Sequence, residues 1–190
     1  MSQAEGSPLQ TRGFRRRHAK HRVRQPDASN TESDIMVRGR HTETATITAQ
    51  APVRVSVGRA RRWFMELETH PERYRFETHA GFAFTQGGFG EIGAHFQTWE
   101  RFFGLKLTLG FELTEVADTR FRFRLARPPL PVWGAFTIEP VDGEMVELRL
   151  AIGGTSRLGN WFLRLPLVRG AIGRQIRGEV EHIKASMEAV

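Results

Sequence analysis

Two regimes of hydrophobic patterning divide the chain near residue 41. From Thr42 onward, TETATITAQ places Ala45, Ile47 and Ala49 on one side and Thr44, Thr46 and Thr48 on the other, which is the period of a half-buried β-strand. Pro52 is expected to end that strand. The next stretch carries Val53, Val57, Ala60, Phe64 and Leu67 at helical spacing, and Gly58 interrupts it. Two short helices set at an angle follow from this, with Pro71 marking their end.

The middle of the chain returns to alternation. GFAFT (81–85) and AHFQTWERFF (94–103) flank a glycine-rich turn, and KLTLGFELTEV, RFRFRLA, WGAFTIEP and EMVELRLAI follow as further strands. Asp142-Gly143 between the last two is a strong hairpin signal. Side chains alternate across a strand, so Leu107, Leu109, Phe111 and Leu113 share a face. Phe121, Phe123 and Leu125, then Phe136 and Ile138, then Val146, Leu148, Leu150 and Ile152 continue it. The other parity holds Lys106, Thr108, Glu112, Arg122, Arg124, Glu139, Glu147 and Arg149, a solvated surface with cross-strand charge pairing. Beyond Gly153 and Gly154, the residues Val168, Ile172, Ile176, Val180, Ile183 and Met187 recur every three or four positions. They predict a long amphipathic helix that Pro166 either begins or kinks.

The predicted fold is α+β: a seven-stranded curved antiparallel sheet with two short helices after its first strand and a long C-terminal helix packed across it. This order of elements resembles the START-like (SRPBCC, birch-pollen-allergen-like) superfamily over residues 42–190. ITAQAP resembles that superfamily's opening strand, HPERY its post-helix turn and EVEHIKASME its helix ending. The nearest likeness is to the polyketide cyclase/dehydrase and lipid-transport-like set. The resemblance implies a helix-grip domain that holds a small hydrophobic molecule between sheet and helix. It carries over no catalytic residue, because the superfamily has no short catalytic motif to align. Fold does not by itself supply function.

With such a cavity, the inward parity nominates Phe96, Thr98, Glu100, Leu109, Phe111, Phe123, Phe136, Leu148, Ile172 and Ile176 as ligand-binding residues. Thr98 and Glu100 are its polar exceptions. A desolvated carboxylate there would bind a ligand hydroxyl or serve as a general base, unless a bulge or a rim position leaves it in water. His79 and Tyr74 read as residues of a surface turn, with a cavity wall that uses their polar tips as the alternative. Gly170, Gly173 and Gly178 cost about 1 kcal/mol each in a helix interior, which room for a ligand or close packing would offset. Trp161, Phe162 and Leu163 read as core, with an apolar lip for membrane docking as the alternative.

Composition narrows the chemistry. The 190 residues support one full core, and Phe (14) far outnumbers Tyr (1), so that core should be aromatic without hydroxyls. There is no cysteine, hence no disulfide, thiolate metal site or cysteine nucleophile. The seven histidines show no metal-ligand spacing, and no metal is expected. Gly88, Gly90 and Gly93 match a dinucleotide fingerprint in spacing, but a strand follows them where that motif needs a helix. They read instead as a tight hairpin near the cavity entrance, and no cofactor is implied. Ser156 has no nucleophile motif around it.

The formal charge of +7 is uneven: residues 1–40 hold nine Lys or Arg against four acids, leaving only +2 for the rest. Residues 1–41 are therefore predicted to be a disordered basic tail whose charge would give weak contact with phosphates or an anionic surface. No apolar stretch reaches the ~18 residues of a membrane span, and no secretory h-region follows the basic start, so the cytoplasm is the default location. Three functions remain open. They are carriage of a lipid, isoprenoid or aromatic molecule, polyketide cyclase or dehydratase catalysis, and tail-driven contact with nucleic acid, ribosome or membrane. Several convergent ionisable groups in the cavity would favour catalysis, and an apolar lining with one or two polar anchors would favour carriage.

Overall fold

The alternating segments assemble into one antiparallel sheet because each has a single apolar face to bury. The computed structural model describes residues 44–102 and 104–189, and the expected basic tail lies outside the described residues. The strands are β1 (Thr46–Val53), β2 (His79–Gln86), β3 (His95–Phe102), β4 (Leu105–Ala117), β5 (Arg120–Arg127), β6 (Val132–Pro140) and β7 (Val146–Gly154). The helices are α1 (Val57–Met65), α2 (Arg157–Arg164) and α3 (Pro166–Ala189). Spatial order is β1-β7-β6-β5-β4-β3-β2, a meander whose first strand returns to pair with its last. This is the expected helix-grip arrangement.

Three local expectations are refined. Pro52 does not end β1 but lies within it, opposite Glu147 and exposed. β1 is an edge strand, where a missing backbone N–H breaks no ladder bond. The helical stretch turns at Glu66, not at Gly58. Gly58 falls in the first turn of α1, whose N-cap Ser56 accepts a hydrogen bond from the Arg59 N–H, so it breaks nothing. Two 3₁₀ turns, Glu66–Glu68 and Pro71–Tyr74, follow. At the other end, Leu165 is extended and Pro166 opens α3, which makes NWFLRL part of a separate helix. Ser156 is the N-cap of that helix, its hydroxyl accepting from the Gly159 N–H.

Antiparallel connections sort the loops onto two ends of the sheet. The β3–β4 turn, the β5–β6 loop and the start of α2 share one end, and the β2–β3, β4–β5 and β6–β7 turns share the other. At the first end α2 lies directly on the β5–β6 loop: Thr155 N–H donates to the Pro131 carbonyl at 2.9 Å. A Cβ at position 159 would come within 2.1 Å of that same oxygen, so only glycine fits there.

The second end is closed by aromatic packing. Phe64 of α1 has its ring centroid 5.0 Å from Phe136, 5.1 Å from Phe121 and 5.7 Å from Phe89. Phe89 comes from the glycine-rich β2–β3 turn and is itself buried. Because Phe64 is fully enclosed, Phe64→Ala is expected to lower unfolding free energy by about 3–5 kcal/mol, read as a fall in the urea midpoint. A loss below about 1 kcal/mol would mean that this end is not a packed plug.

Candidate functional site

A cavity of ≈ 270 Å³ lies between the concave face of the sheet and the N-terminal half of α3. Its wall is mostly Phe, Leu, Ile and Val. Phe96, Thr98, Glu100, Leu109, Phe111, Phe123, Phe136, Ile172 and Ile176, all nominated by parity, line it. Leu148 does not. It is fully buried between Ala51 and Ile138 toward the plugged end, where α1 and the C-terminal part of α3 fill the concavity. The most exposed lining residues are Leu107 and Leu130, so the cavity opens at the end that carries the β3–β4 turn and the β5–β6 loop. The glycine-rich turn is at the opposite end and closes the cavity with Phe89, contrary to its expected place at the entrance.

Gly134 of β6 also lines the cavity. A Cβ there would stand 2.2 Å from the Phe123 ring opposite it, so the missing side chain gives that ring its seat. The three helix glycines leave no such space: Gly170, Gly173 and Gly178 are not among the lining residues. Of the α2 triplet, Leu163 is buried, Phe162 lines the cavity and Trp161 is 60% exposed.

The polar groups gather on one side, where β2, β3 and the 71–74 turn face α3. Glu100 points inward as the β3 parity requires and is 7% exposed. Its Oε2 accepts a hydrogen bond from Gln175 Nε2 at 2.6 Å, and its Oε1 lies 2.9 Å from His79 Nδ1. Neither His79 ring nitrogen has an aligned hydrogen-bond partner among the described residues, so that contact is a close approach and not a formed bond. Among the described residues Thr98 Oγ1 is buried without a partner as well. Tyr74 donates its hydroxyl to Glu179 Oε1, and its ring stands edge-on to His79 with centroids 4.5 Å apart. Phe76 stacks on the face of the imidazole with centroids 5.2 Å apart.

His79 and Tyr74 are thus not surface residues. A bulge in β2 is the reason for the first. His79 pairs with Glu100 and Gly81 with Trp99, so Ala80 is the extra residue, and His79 joins Phe82 and Phe84 on the inner face despite its odd number. Tyr74 is brought in by the 3₁₀ turn that Pro71 starts. Glu179 was not singled out from the sequence, although it stands three residues from Ile176 and four from Ile183, in step with the buried stripe of α3.

Buried unpaired polar atoms are costly, so this side of the cavity is prepared for a polar ligand group or water. Burial raises the Glu179 carboxyl from its ordinary 4.5 to about 8, and it carries a proton at neutral pH. A protonated carboxyl with Tyr74 on one oxygen has an O–H to offer from the other. Among the described residues no group of three or more His, Asp or Glu is placed to hold a metal ion, and no helix is long and apolar enough to cross a membrane.

The Glu179 carboxyl makes stability depend on pH. Between about 4.5 and 8 the folded chain keeps a proton that the unfolded chain releases, so the contribution is complete below 4.5 and lost as pH rises through 8. The expected slope is a loss of up to about 1.4 kcal/mol per pH unit in that window, which Glu179→Gln should flatten when urea midpoints are compared from pH 5 to 8. An unchanged slope in the variant would contradict the burial argument.

No family model matches the chain, and no curated protein sequence matches it. Solved structures do. The Zhui aromatase/cyclase from Streptomyces sp. R1128 superposes with a TM-score of 0.61 at 10% identity, covering 76% of this chain and 94% of that one. Ara h 8.0201 gives 0.58 at 10% identity over 77% and 99% of the two chains. The ginseng major latex-like protein 151 from Panax ginseng gives 0.53 at 11% over 77% and 96%. At these identities the likeness is one of fold, and with the sheet order and helix placement above it makes this domain a helix-grip fold.

Proposed function

We propose that this protein binds a small, mainly apolar molecule, an aromatic, isoprenoid or lipid-like compound with one polar end, in the cavity under α3. The observation that carries this reading is the division of the lining. An aromatic and aliphatic wall supplies the burial, and Tyr74, His79, Thr98, Glu100, Gln175 and Glu179 form one polar side that fixes orientation. A cavity of ≈ 270 Å³ accommodates a ligand of two or three fused rings or an equivalent chain.

The test uses purified full-length protein. Native mass spectrometry should detect a co-purified apolar compound, and 2-naphthol should displace it. Glu100→Gln should weaken 2-naphthol binding by about 3- to 30-fold and leave naphthalene affinity unchanged, because only the former presents a hydroxyl to the carboxylate. Equal effects on both probes, or no binding of either, would refute the assignment of Glu100 as a polar anchor.

A second reading, acid–base catalysis, is favoured by the same side of the cavity. His79 beside Glu100, and a protonated Glu179 beside Tyr74, are a base and an acid in one dry space, more ionisable groups than carriage alone requires. They suit the elimination of water from a β-hydroxy carbonyl compound. The imidazole would take a proton from carbon next to a carbonyl, and the carboxyl would give one to the hydroxyl that leaves as water. The aromatase/cyclase among the structural neighbours supports this class. Exchange of solvent deuterium into C2 of a bound β-ketoacyl thioester should be seen with the native chain and fall at least about 100-fold in His79→Gln. Absence of exchange in the native chain would leave binding as the function.

A further inference from the structure

The mouth of the cavity is rimmed by exposed apolar side chains that no packing argument requires. Leu105 at the start of β4, Leu130 on the β5–β6 loop, Leu158 and Trp161 on α2, and Leu167 on α3 are all at least 39% exposed. Leu158 and Trp161 stand one turn apart on the same face of α2, and Leu167 is 79% exposed in the first turn of α3. The three rim segments lie at one end of the sheet and join directly: α2 rests on the Pro131 carbonyl, while Leu107, Leu130, Phe162 and Val168 line the same opening.

The charge of this rim is of one sign. Residues 101–107, 127–132 and 157–169 contain Arg101, Lys106, Arg127, Arg157, Arg164 and Arg169 and not one Asp or Glu. All six are exposed. Elsewhere the sheet's outer face balances its charges, as Arg124 with Glu112 and Arg149 with Glu139 and Glu147. The α1 segment at the plugged end is also basic, with Arg54, Arg59, Arg61 and Arg62, but only at the mouth do such cations stand beside exposed Leu and Trp side chains.

Exposed Leu and Trp within a ring of cations form the surface that inserts shallowly into a bilayer while the cations meet anionic headgroups. We infer that the protein docks mouth-down on an anionic phospholipid bilayer, with Trp161, Leu158 and Leu167 as its insertion points and the rim arginines on the headgroups. The apolar cavity would then open onto the hydrocarbon, so that a hydrophobic ligand passes between membrane and protein without crossing water. That purpose rests on the ligand-binding reading. The docking itself does not, and it is measured without ligand.

The experiment is sedimentation of the full-length protein with vesicles of phosphatidylcholine alone or with about 30 mol% phosphatidylglycerol, at ~20 and ~300 mM NaCl. Strong binding to the anionic vesicles at low salt, weak binding to the neutral ones and attenuation by salt are expected. Trp161→Ser with Leu167→Ser should reduce the partition coefficient at least about tenfold, with an unchanged thermal midpoint because both side chains are already exposed. Leu105→Ser with Leu130→Ser should act in the same direction from the other side of the mouth. Arg15→Gln, Arg16→Gln and Arg17→Gln together, which remove the densest charge of the N-terminal segment, should change binding by less than about threefold, a smaller effect than loss of the collar. The inference is overturned if the native chain ignores anionic vesicles, which would leave the collar to an acidic protein partner. It is equally overturned if both collar variants bind like the native chain, or if the tail variant alone abolishes binding.

Discussion

One helix cannot fill the concave face of seven strands, and the rest of this structure depends on that mismatch. Seven strands spaced about 4.8 Å apart make a sheet roughly 30 Å wide, whereas a helix with its side chains is about 10–12 Å across. α3 packs chiefly on β1 and more lightly on β7. Its apolar stripe therefore covers one flank and leaves the inner faces of β3 to β6 without a partner over the open end. α1 and Phe89 complete the filling at the plugged end. What remains is a cavity by geometry, whose walls are the residues that would have been core under a second helix.

The polar side of that cavity follows from the same arrangement. Glu100 and His79 are cross-strand partners at the flank where the sheet meets the 71–74 turn, and α3 crosses above them with Gln175 and Glu179 one turn apart. Each acidic side chain is given a donor from another element: Gln175 for Glu100 and Tyr74 for Glu179. Well-packed hydrophobic residues replacing both members of such a pair are often no less stabilising. That the chain carries these polar pairs, and leaves His79 and Thr98 without aligned partners among the described residues, points to a role beyond holding the fold together.

Legibility in the sequence tracked regularity. β3 has no bulge, so parity placed Phe96, Thr98 and Glu100 on the inner wall and Trp99 outside. β2 has register shifts near both ends, and because of the one at Ala80 a strict alternation through Phe82 and Phe84 puts His79 on the wrong face. No local signal separates Ala80 as the inserted residue, since its role is set by pairing with β3. Glu179 was within reach. It falls on the buried stripe of α3 at spacings of three and four, and only the habit of assigning glutamate to the wet face hid it. Leu148 shows the converse limit: parity gives the face of the sheet but not the position along it, so it could not separate wall from plug. Trp161 and Phe162 are adjacent in sequence yet one faces water and the other the cavity. Only the seating of α2 on Pro131 decides which.

The two unusual surfaces, the polar flank within and the basic apolar rim without, constrain each other. Glu100 pairs in register with Leu107, one of the exposed lining residues, so the polar anchors stand only one strand from the opening. A ligand entering body-first sends its apolar part past the anchors toward Phe123 and Phe136 and brings its polar end to Glu100 and His79 last, beside the opening. One that enters polar end first meets the same anchors at once and must then turn its apolar body along the inner wall. Either order ends with the polar group near the mouth and the hydrophobic part held within ≈ 270 Å³. That volume argues for a compact ring system over a long acyl chain, whichever chemistry the polar flank performs.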